Sequence, residues 1–132
     1  MAYRVEPHTA DVRLKIEAES YSRLIEESFH GLMTLLDGRS GEQEVIREVS
    51  VESKNKTTLL VDFLNEVLTL AHINKECYSQ IALKTLTDER LDASIKGFGV
   101  SRFKTDVKAV TYHEAEVREE GGRWLVSLVL DV

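Results

Sequence analysis

The sequence predicts an α+β fold: a two-layer sandwich in which two amphipathic helices pack on one face of a mostly antiparallel sheet. Apolar residues recur at helical spacing near residues 21–36 and 55–71, and several other stretches alternate apolar with polar residues. Gly121-Gly122, between two of the alternating stretches, is typical of a tight hairpin. The length of 132 residues suits one domain, which we assign to residues 1–132.

The first elements of the chain are predicted to be two strands. A short strand over residues 3–6 ends before Pro7, since proline has no amide hydrogen to donate to a sheet. Residues 12–18 then alternate strictly between apolar and charged side chains. This pattern indicates a half-buried strand with one face on the core and one face in solvent.

Two helices follow, separated by a strand. Ser20 or Ser22 is a suitable N-cap for the first helix, and Gly38 is a suitable C-terminal stop. Alternation returns over residues 44–52, which predicts a strand. The second helix is predicted to begin near Asn55 and to bury the apolar residues that follow it.

The rest of the chain is predicted to be strands. Apolar residues mark short strands at 81–83 and 91–95 and a longer one over residues 107–118. Gly121-Gly122 turns the chain into a last strand over residues 124–132. That strand is apolar on both faces apart from two polar positions, as expected for a central strand.

Strand parity predicts which side chains share a face. If the apolar residues of the second strand face the helices, Asp11 projects to the opposite, helix-free side. Extended to the strand over residues 107–118, the same rule predicts that the helix side holds Ala109, Thr111, His113, Ala115 and Val117. The helix-free side is then predicted to hold Lys108, Val110, Tyr112 and Glu114.

Charge and composition narrow the kind of partner. A formal net charge of −6 does not suit a protein that grips nucleic acid by itself, because such proteins neutralise phosphates with a basic surface. Basic residues gather over residues 84–108, but acidic residues lie among them. We therefore expect a protein partner. The single cysteine, Cys77, and the lack of an apolar leader or membrane span favour a cytoplasmic protein.

Three carboxylates are candidates for one cation site. Asp131 and the terminal carboxylate of Val132 are neighbours, and Asp11 is the candidate third member. Like charges this close stay ionised together only when a cation compensates them or one carboxyl takes up a proton. Oxygen ligands favour calcium, magnesium or manganese, and His8 is a possible ligand or outer-shell donor. The plainer alternatives are that Asp11 forms a turn and that the C-terminal pair is incidental.

Four stretches of the sequence resemble the archease family. They are His8-Thr9-Ala10-Asp11-Val12 and residues 59–68, 107–113 and 129–132. The resemblance covers essentially the whole chain and implies an accessory protein of the RtcB-type tRNA ligase, not an enzyme. That ligase joins a 2′,3′-cyclic phosphate or 3′-phosphate end to a 5′-hydroxyl end using GTP and manganese. Archease-like proteins promote guanylylation of its active-site histidine and multiple turnover.

The resemblance also implies functional residues. It assigns metal binding to Asp11, Asp131 and Val132, and a role in partner or phosphate contact to Lys108. His8 belongs to the same motif and is carried over as a possible outer-shell residue. At Gly97-Phe98-Gly99 this chain departs from relatives that have Gly-Glu, and the effect on partner contacts is left open.

Two other functions compete with this one. The chain is alternatively a stand-alone metal-dependent hydrolase that uses Asp11 and Asp131 as ligands and His8 or His113 as a base. Against this, the sequence has no recognisable nucleophile–base pair and no phosphate-cradling glycine loop. The other alternative is a non-catalytic interaction module whose acidic patch is a solvated surface.

Overall fold

The computed structural model of the chain describes residues 11–132, other than the side chains of Ser40 and Glu42. The strand predicted over residues 3–6 and the candidate residue His8 therefore lie outside the described residues. In chain order the elements are β1 (Asp11–Ala18), α1 (Tyr21–Leu36), β2 (Gly38–Glu52), α2 (Lys56–Asn74), β3 (Glu76–Leu86), β4 (Arg90–Phe103), β5 (Ala109–Thr111), β6 (Arg118–Glu120) and β7 (Arg123–Asp131).

The α+β class and the antiparallel pairing are confirmed, but the strands of residues 11–132 divide between two sheets where the sequence predicts one. In sheet A, β1 pairs with one edge of β7, while β5 and β6 pair with its other edge. In sheet B, β4 lies between β2 and β3. Helix α1 contacts β1, β7 and β3, and α2 contacts β5 and all three strands of sheet B. The core therefore lies where both helices meet the two sheets.

Helix α1 begins where the sequence predicts. The Ser20 side chain accepts a hydrogen bond of 3.1 Å from the Arg23 amide and so satisfies a donor that the first turn leaves free. The helix ends at Asp37, in the left-handed region with a φ of 43°, one residue before the predicted stop at Gly38. Its buried face consists of Tyr21, Leu24, Ile25, Ser28, Phe29, Leu32, Met33 and Leu36.

Helix α2 is more deeply enclosed than α1. Asn55 and Thr58 form a reciprocal capping box at its start, which confirms the predicted N-terminus. The buried residues of α2 extend over more of its circumference and include three successive residues, Leu59, Leu60 and Val61. None of the helices in residues 11–132 is long and apolar enough to span a bilayer.

Sheet A has one face on the helices and one face away from them. The β1–β7 register pairs Leu14 with Leu128 on the helix side, where Leu14 also contacts α1 at Gly31. The hairpin predicted at Gly121-Gly122 is present between β6 and β7, with φ values of 58° and 81° at the two glycines. Two successive positive φ angles explain why the turn consists of glycine.

The long strand predicted over residues 107–118 is wrong, and so is the parity drawn from it. The chain pairs with β7 only over β5 and β6, and turns between them, with Glu114 at a φ of 59°. Val110 is buried beside Leu130 on the helix side. Ala109 and Thr111 face away, opposite to the prediction, because alternation does not continue through an interrupted strand.

The structure explains why the first residue of the Gly97-Phe98-Gly99 departure is glycine. Gly97 lies at an irregularity of the β3–β4 pairing, where the carbonyl oxygen of Cys77 would be 2.0 Å from an added Cβ. Only glycine permits this approach of two backbones. The effect of the departure on partner contacts stays a prediction.

Candidate metal-binding site

Asp11 and Asp131 are direct cross-strand partners at one end of sheet A. They begin β1 and end β7, and both side chains are exposed. Opposite residues of antiparallel strands project to the same face with Cβ atoms about 4.5–5.5 Å apart. Since the neighbouring Val12–Leu130 pair lies on the helix side, both carboxylates lie on the helix-free face. The predicted meeting of these two side chains is thus what the strand register produces.

The surroundings of Asp131 leave space beside the pair. On the other edge of β7, Asp131 pairs with Ala109. The side chain of alanine is a single methyl group, so it fills little of the space beside Asp131. Val132 follows directly and packs its side chain against the core, which fixes the main chain at this point. The third candidate donor, the Val132 carboxylate, therefore begins one residue from Asp131.

Lys108 lies next to the pair in the fold, although parity does not determine its direction. Its backbone amide donates a hydrogen bond of 2.7 Å to the carbonyl oxygen of Asp131, and its side chain is exposed. Regular pairing starts one residue later, at Ala109, so the rule that predicts a helix-free side chain does not apply here. The backbone hydrogen bond is therefore the observation that places Lys108 next to Asp131.

Arg13 and Glu114 also belong to this region; sequence reasoning named neither as a site residue, although it predicted Glu114 on the helix-free side. Arg13 is two residues from Asp11 on the same face of β1, and its guanidinium forms an ion pair with Glu114. The hydrogen bond from Arg13 lowers the pKa of the Glu114 carboxyl below its ordinary value. Strand parity was sufficient to find Arg13. Glu114 lies in the turn after β5, and no local pattern places it there.

Helix α2 holds the β5 segment in position. The Asn65 side chain donates to the carbonyl oxygen of Val110 and accepts from its amide, both at 2.8 Å. Tyr112 is exposed, and its hydroxyl donates to a carboxylate oxygen of Asp62, one turn earlier on α2. These side-chain bonds from α2 take the place of a second strand partner for β5. The position of Ala109 beside Asp131 therefore depends on α2.

The donor chemistry fits a hard divalent cation, but the side chains alone are an incomplete ligand set. Within residues 11–132, no three acidic, histidine or cysteine side chains converge on one point. Two facing carboxylates supply negative charge and oxygen donors of the kind that calcium, magnesium and manganese prefer. A complete ligand set would need further donors, for which the Val132 carboxylate, His8, water and a partner are the candidates.

The hydrolase alternative gains little from the geometry. His113, one of its two candidate bases, is largely exposed in the turn after β5, and its Nε2 lies 3.5 Å from Glu114 Oε1. The parity prediction placed His113 toward the helices, and that prediction is wrong. A histidine turned to solvent beside Glu114 is not held against the Asp11–Asp131 pair.

Comparisons with known proteins decide the family. The sequence profile of the archease protein family matches residues 3–132. A Methanopyrus kandleri archease is 33% identical over 138 residues, which cover 95% of this chain and 95% of that protein. The chain belongs to the archease family. A Methanosarcina mazei archease is 27% identical and covers 98% of this chain and 95% of its own length.

Solved structures share the archease fold. A Thermotoga maritima archease, described as a possible chaperone, superposes with a TM-score of 0.74 at 21% identity, covering 100% of this chain and 98% of its own. Protein 1598 of Methanobacterium thermoautotrophicum superposes with a TM-score of 0.67 at 22% identity, covering 96% of each chain. At these identities the likeness concerns the fold.

The four archease-like stretches meet in two pairs. The stretch that contains Asp11 pairs with the stretch that contains Asp131 through β1 and β7. The α2 stretch meets the β5 stretch through Asn65 and Val110. Stretches far apart in sequence therefore form one continuous region at the Asp131 end of sheet A.

Proposed function

We propose that this chain is a metal-binding activator of an RtcB-type GTP-dependent RNA ligase. In this role it promotes guanylylation of the ligase's active-site histidine and multiple turnover in tRNA splicing and RNA repair, in the cytoplasm. The observation that supports the proposal is the direct opposition of Asp11 and Asp131 on an exposed, helix-free face. Membership of the archease family is the reason for proposing this ligase as the partner.

Asp11, Asp131 and the carboxylate of Val132 would hold the cation, which is calcium, magnesium or manganese. When bound, the cation supplies positive charge next to oxygen atoms of a nucleotide phosphate. The strands orient the two aspartates before any ligand arrives, so that little conformational freedom is lost on binding. His8, three residues before Asp11, is proposed as an outer-shell donor that orients this ligand.

Lys108 is proposed to contact the ligase or a phosphate. Its exposed ammonium follows a backbone that is bonded to Asp131, so a ligand held at the aspartates is within the neighbourhood of this side chain. An ammonium group binds phosphate and carboxylate oxygens equally well as a compact positive charge. Contact with RNA is indirect in this proposal, since the chain has a net charge of −6.

We assign the chemistry to the ligase because the pair lies on an open sheet surface. A hydrolase excludes water from its reacting groups and holds a base against the substrate. Asp11 and Asp131 are both exposed, and the candidate base His113 points to solvent. An accessory protein needs no such enclosure, because docking on the ligase covers the site.

The deciding experiment counts turnovers per ligase. A cognate ligase is mixed with RNA ends, GTP and manganese, with and without this protein. We expect several turnovers with the wild type and about one with Asp131→Asn. The matched control is Asp92→Asn, which removes a carboxylate from sheet B and should leave activation intact.

Two results would reject the proposal. One is no gain beyond a single turnover with the wild-type protein. The other is release of phosphate from simple esters by the protein alone, lost on Asp11→Ala, which would favour the hydrolase.

A further inference from the structure

A fixed positive charge lies beside the carboxylate pair, and the proposed function does not use it. Arg13 and Asp11 are two residues apart on one face of β1, which places their Cα atoms about 7 Å apart. Among the described residues, the carboxylate that Arg13 bonds is Glu114 and not Asp11. A guanidinium at this position repels any divalent cation that binds to Asp11 and Asp131.

The Arg13 side chain reaches across the central strand to make this bond. In the row next to the aspartates, Arg13 lies opposite Val129 of β7, and Thr111 of β5 lies beyond it. Glu114 is in the turn that follows β5, so the ion pair bridges β1 to a segment on the far side of β7. An arginine side chain of this length also spans the distance to Asp11. Glu114 and Asp11 are therefore competitors for one guanidinium.

We propose that Arg13 sets the cation affinity of the site and that Glu114 is a positioning residue, which holds Arg13 away from Asp11. This inference rests on the proposed function, because it concerns the same carboxylates. While the Arg13–Glu114 ion pair is intact, the nearby positive charge of Arg13 keeps the affinity for the cation low. A partner that displaces the turn at Glu114 frees Arg13 to pair with Asp11 and so drives the cation off.

The test measures manganese binding to the isolated protein by electron paramagnetic resonance and calorimetry. Removing the charge with Arg13→Gln should tighten binding about three- to tenfold at low salt, since one charge near 7 Å acts on a divalent ion. Glu114→Gln should weaken binding by a similar factor, because the freed Arg13 pairs with Asp11. The double substitution should match Arg13→Gln alone, since Glu114 acts only through Arg13.

Three comparisons separate this effect from a general change in structure or charge. Arg13→Lys keeps the charge and should stay within about twofold of the wild type. Arg123→Gln removes the partner of Glu17 near the other end of the same strands and should change affinity little. Raising the salt concentration should shrink the ratio between Arg13→Gln and the wild type towards one.

Several outcomes overturn the inference. Arg13→Gln that binds manganese no more tightly than the wild type contradicts the role of Arg13. A double substitution that returns to wild-type affinity shows that the two charges act independently, which contradicts the positioning role of Glu114. Absence of manganese binding in the wild type and in every variant overturns the proposed cation site, and this inference with it.

Discussion

Two acids, one on the outer face of each sheet, have opposite charge environments. On sheet B, Asp92 receives hydrogen bonds from Arg90 and from Ser50 on the neighbouring strand, so its charge is compensated locally. On sheet A, Asp11 has another carboxylate, Asp131, directly opposite. Like charges in opposed strand positions destabilise a sheet. The difference teaches that Asp92 is compensated within the fold, whereas the Asp11–Asp131 row works against the fold, as expected for the cation site that we propose.

Sheet B also shows how this fold treats a buried carboxylate. Glu76 is almost fully buried and accepts two hydrogen bonds from Arg47, at 2.9 and 2.7 Å, and one of 2.8 Å from the Tyr78 hydroxyl. The bonds from Arg47 lower the pKa of Glu76, and burial raises the pKa of Tyr78. Satisfied on every side, Glu76 is a structural acid, in contrast to the open pair on sheet A.

The sharpest way to break the comparison is to remove one acid from each sheet. Asp131→Asn should weaken divalent cation binding by more than about 100-fold, because ligand charge sets the affinity of oxygen sites. The same change should leave the melting temperature in chelator unchanged or raise it, since it relieves repulsion with Asp11. Calorimetry and thermal unfolding measure the two effects. Asp92→Asn is the control, and an equal loss of cation binding there would contradict the site.

For Glu76 we expect the opposite result, a loss of stability without a change in cation affinity. Glu76→Gln should lower the free energy of unfolding by about 1–3 kcal/mol, since the uncharged amide of glutamine offers Arg47 and Tyr78 one acceptor oxygen in place of the two of the carboxylate. Cation affinity should not change. Denaturant titration measures the loss, and Glu48→Gln, which affects an exposed pair with Lys84, should have little effect. Similar losses in both variants would remove the distinction between buried and exposed acids of sheet B.

Extending the chain tests the third donor on sheet A. Two glycines added after Val132 convert its carboxylate into an amide, which should weaken cation binding about tenfold through the loss of one charged ligand. Two glycines added before Met1 are the control. Equal calorimetric affinities for the two extended proteins would count against a role for the Val132 carboxylate.

The smallest expected effect is on the pH dependence of stability. The pKa of Glu76 is lower in the folded protein than its ordinary value of 4.5, so its stabilisation is complete above about pH 4.5. It is lost as the pH falls through the folded-state pKa. The stability difference between the wild type and Glu76→Gln should therefore shrink below pH 4.5 in denaturant titrations. A difference that is constant down to pH 3 would contradict the assignment.

Local patterns in the sequence were sufficient for much of the fold but not for the segment over residues 107–118. Both helices and β1 follow from residue periodicity, and parity in β1 and β7 was sufficient to bring Asp11 to the correct face. Next to the strand break in that segment, Asn65 bonds the backbone of Val110 from 45 residues away. Such a tertiary bond leaves no periodic trace in the sequence.

The pairing of β1 with β7 has a consequence for when the two aspartates meet. Asp11 and Asp131 lie near opposite ends of the described chain, so their contact closes a loop that contains nearly every other element. Contacts of such long sequence separation have a large entropic cost, because the intervening chain loses conformational freedom when the loop closes. The Asp11–Asp131 pair is therefore complete only in a molecule in which β1 and β7 have paired. A half-folded molecule presents two separate aspartates in place of the pair.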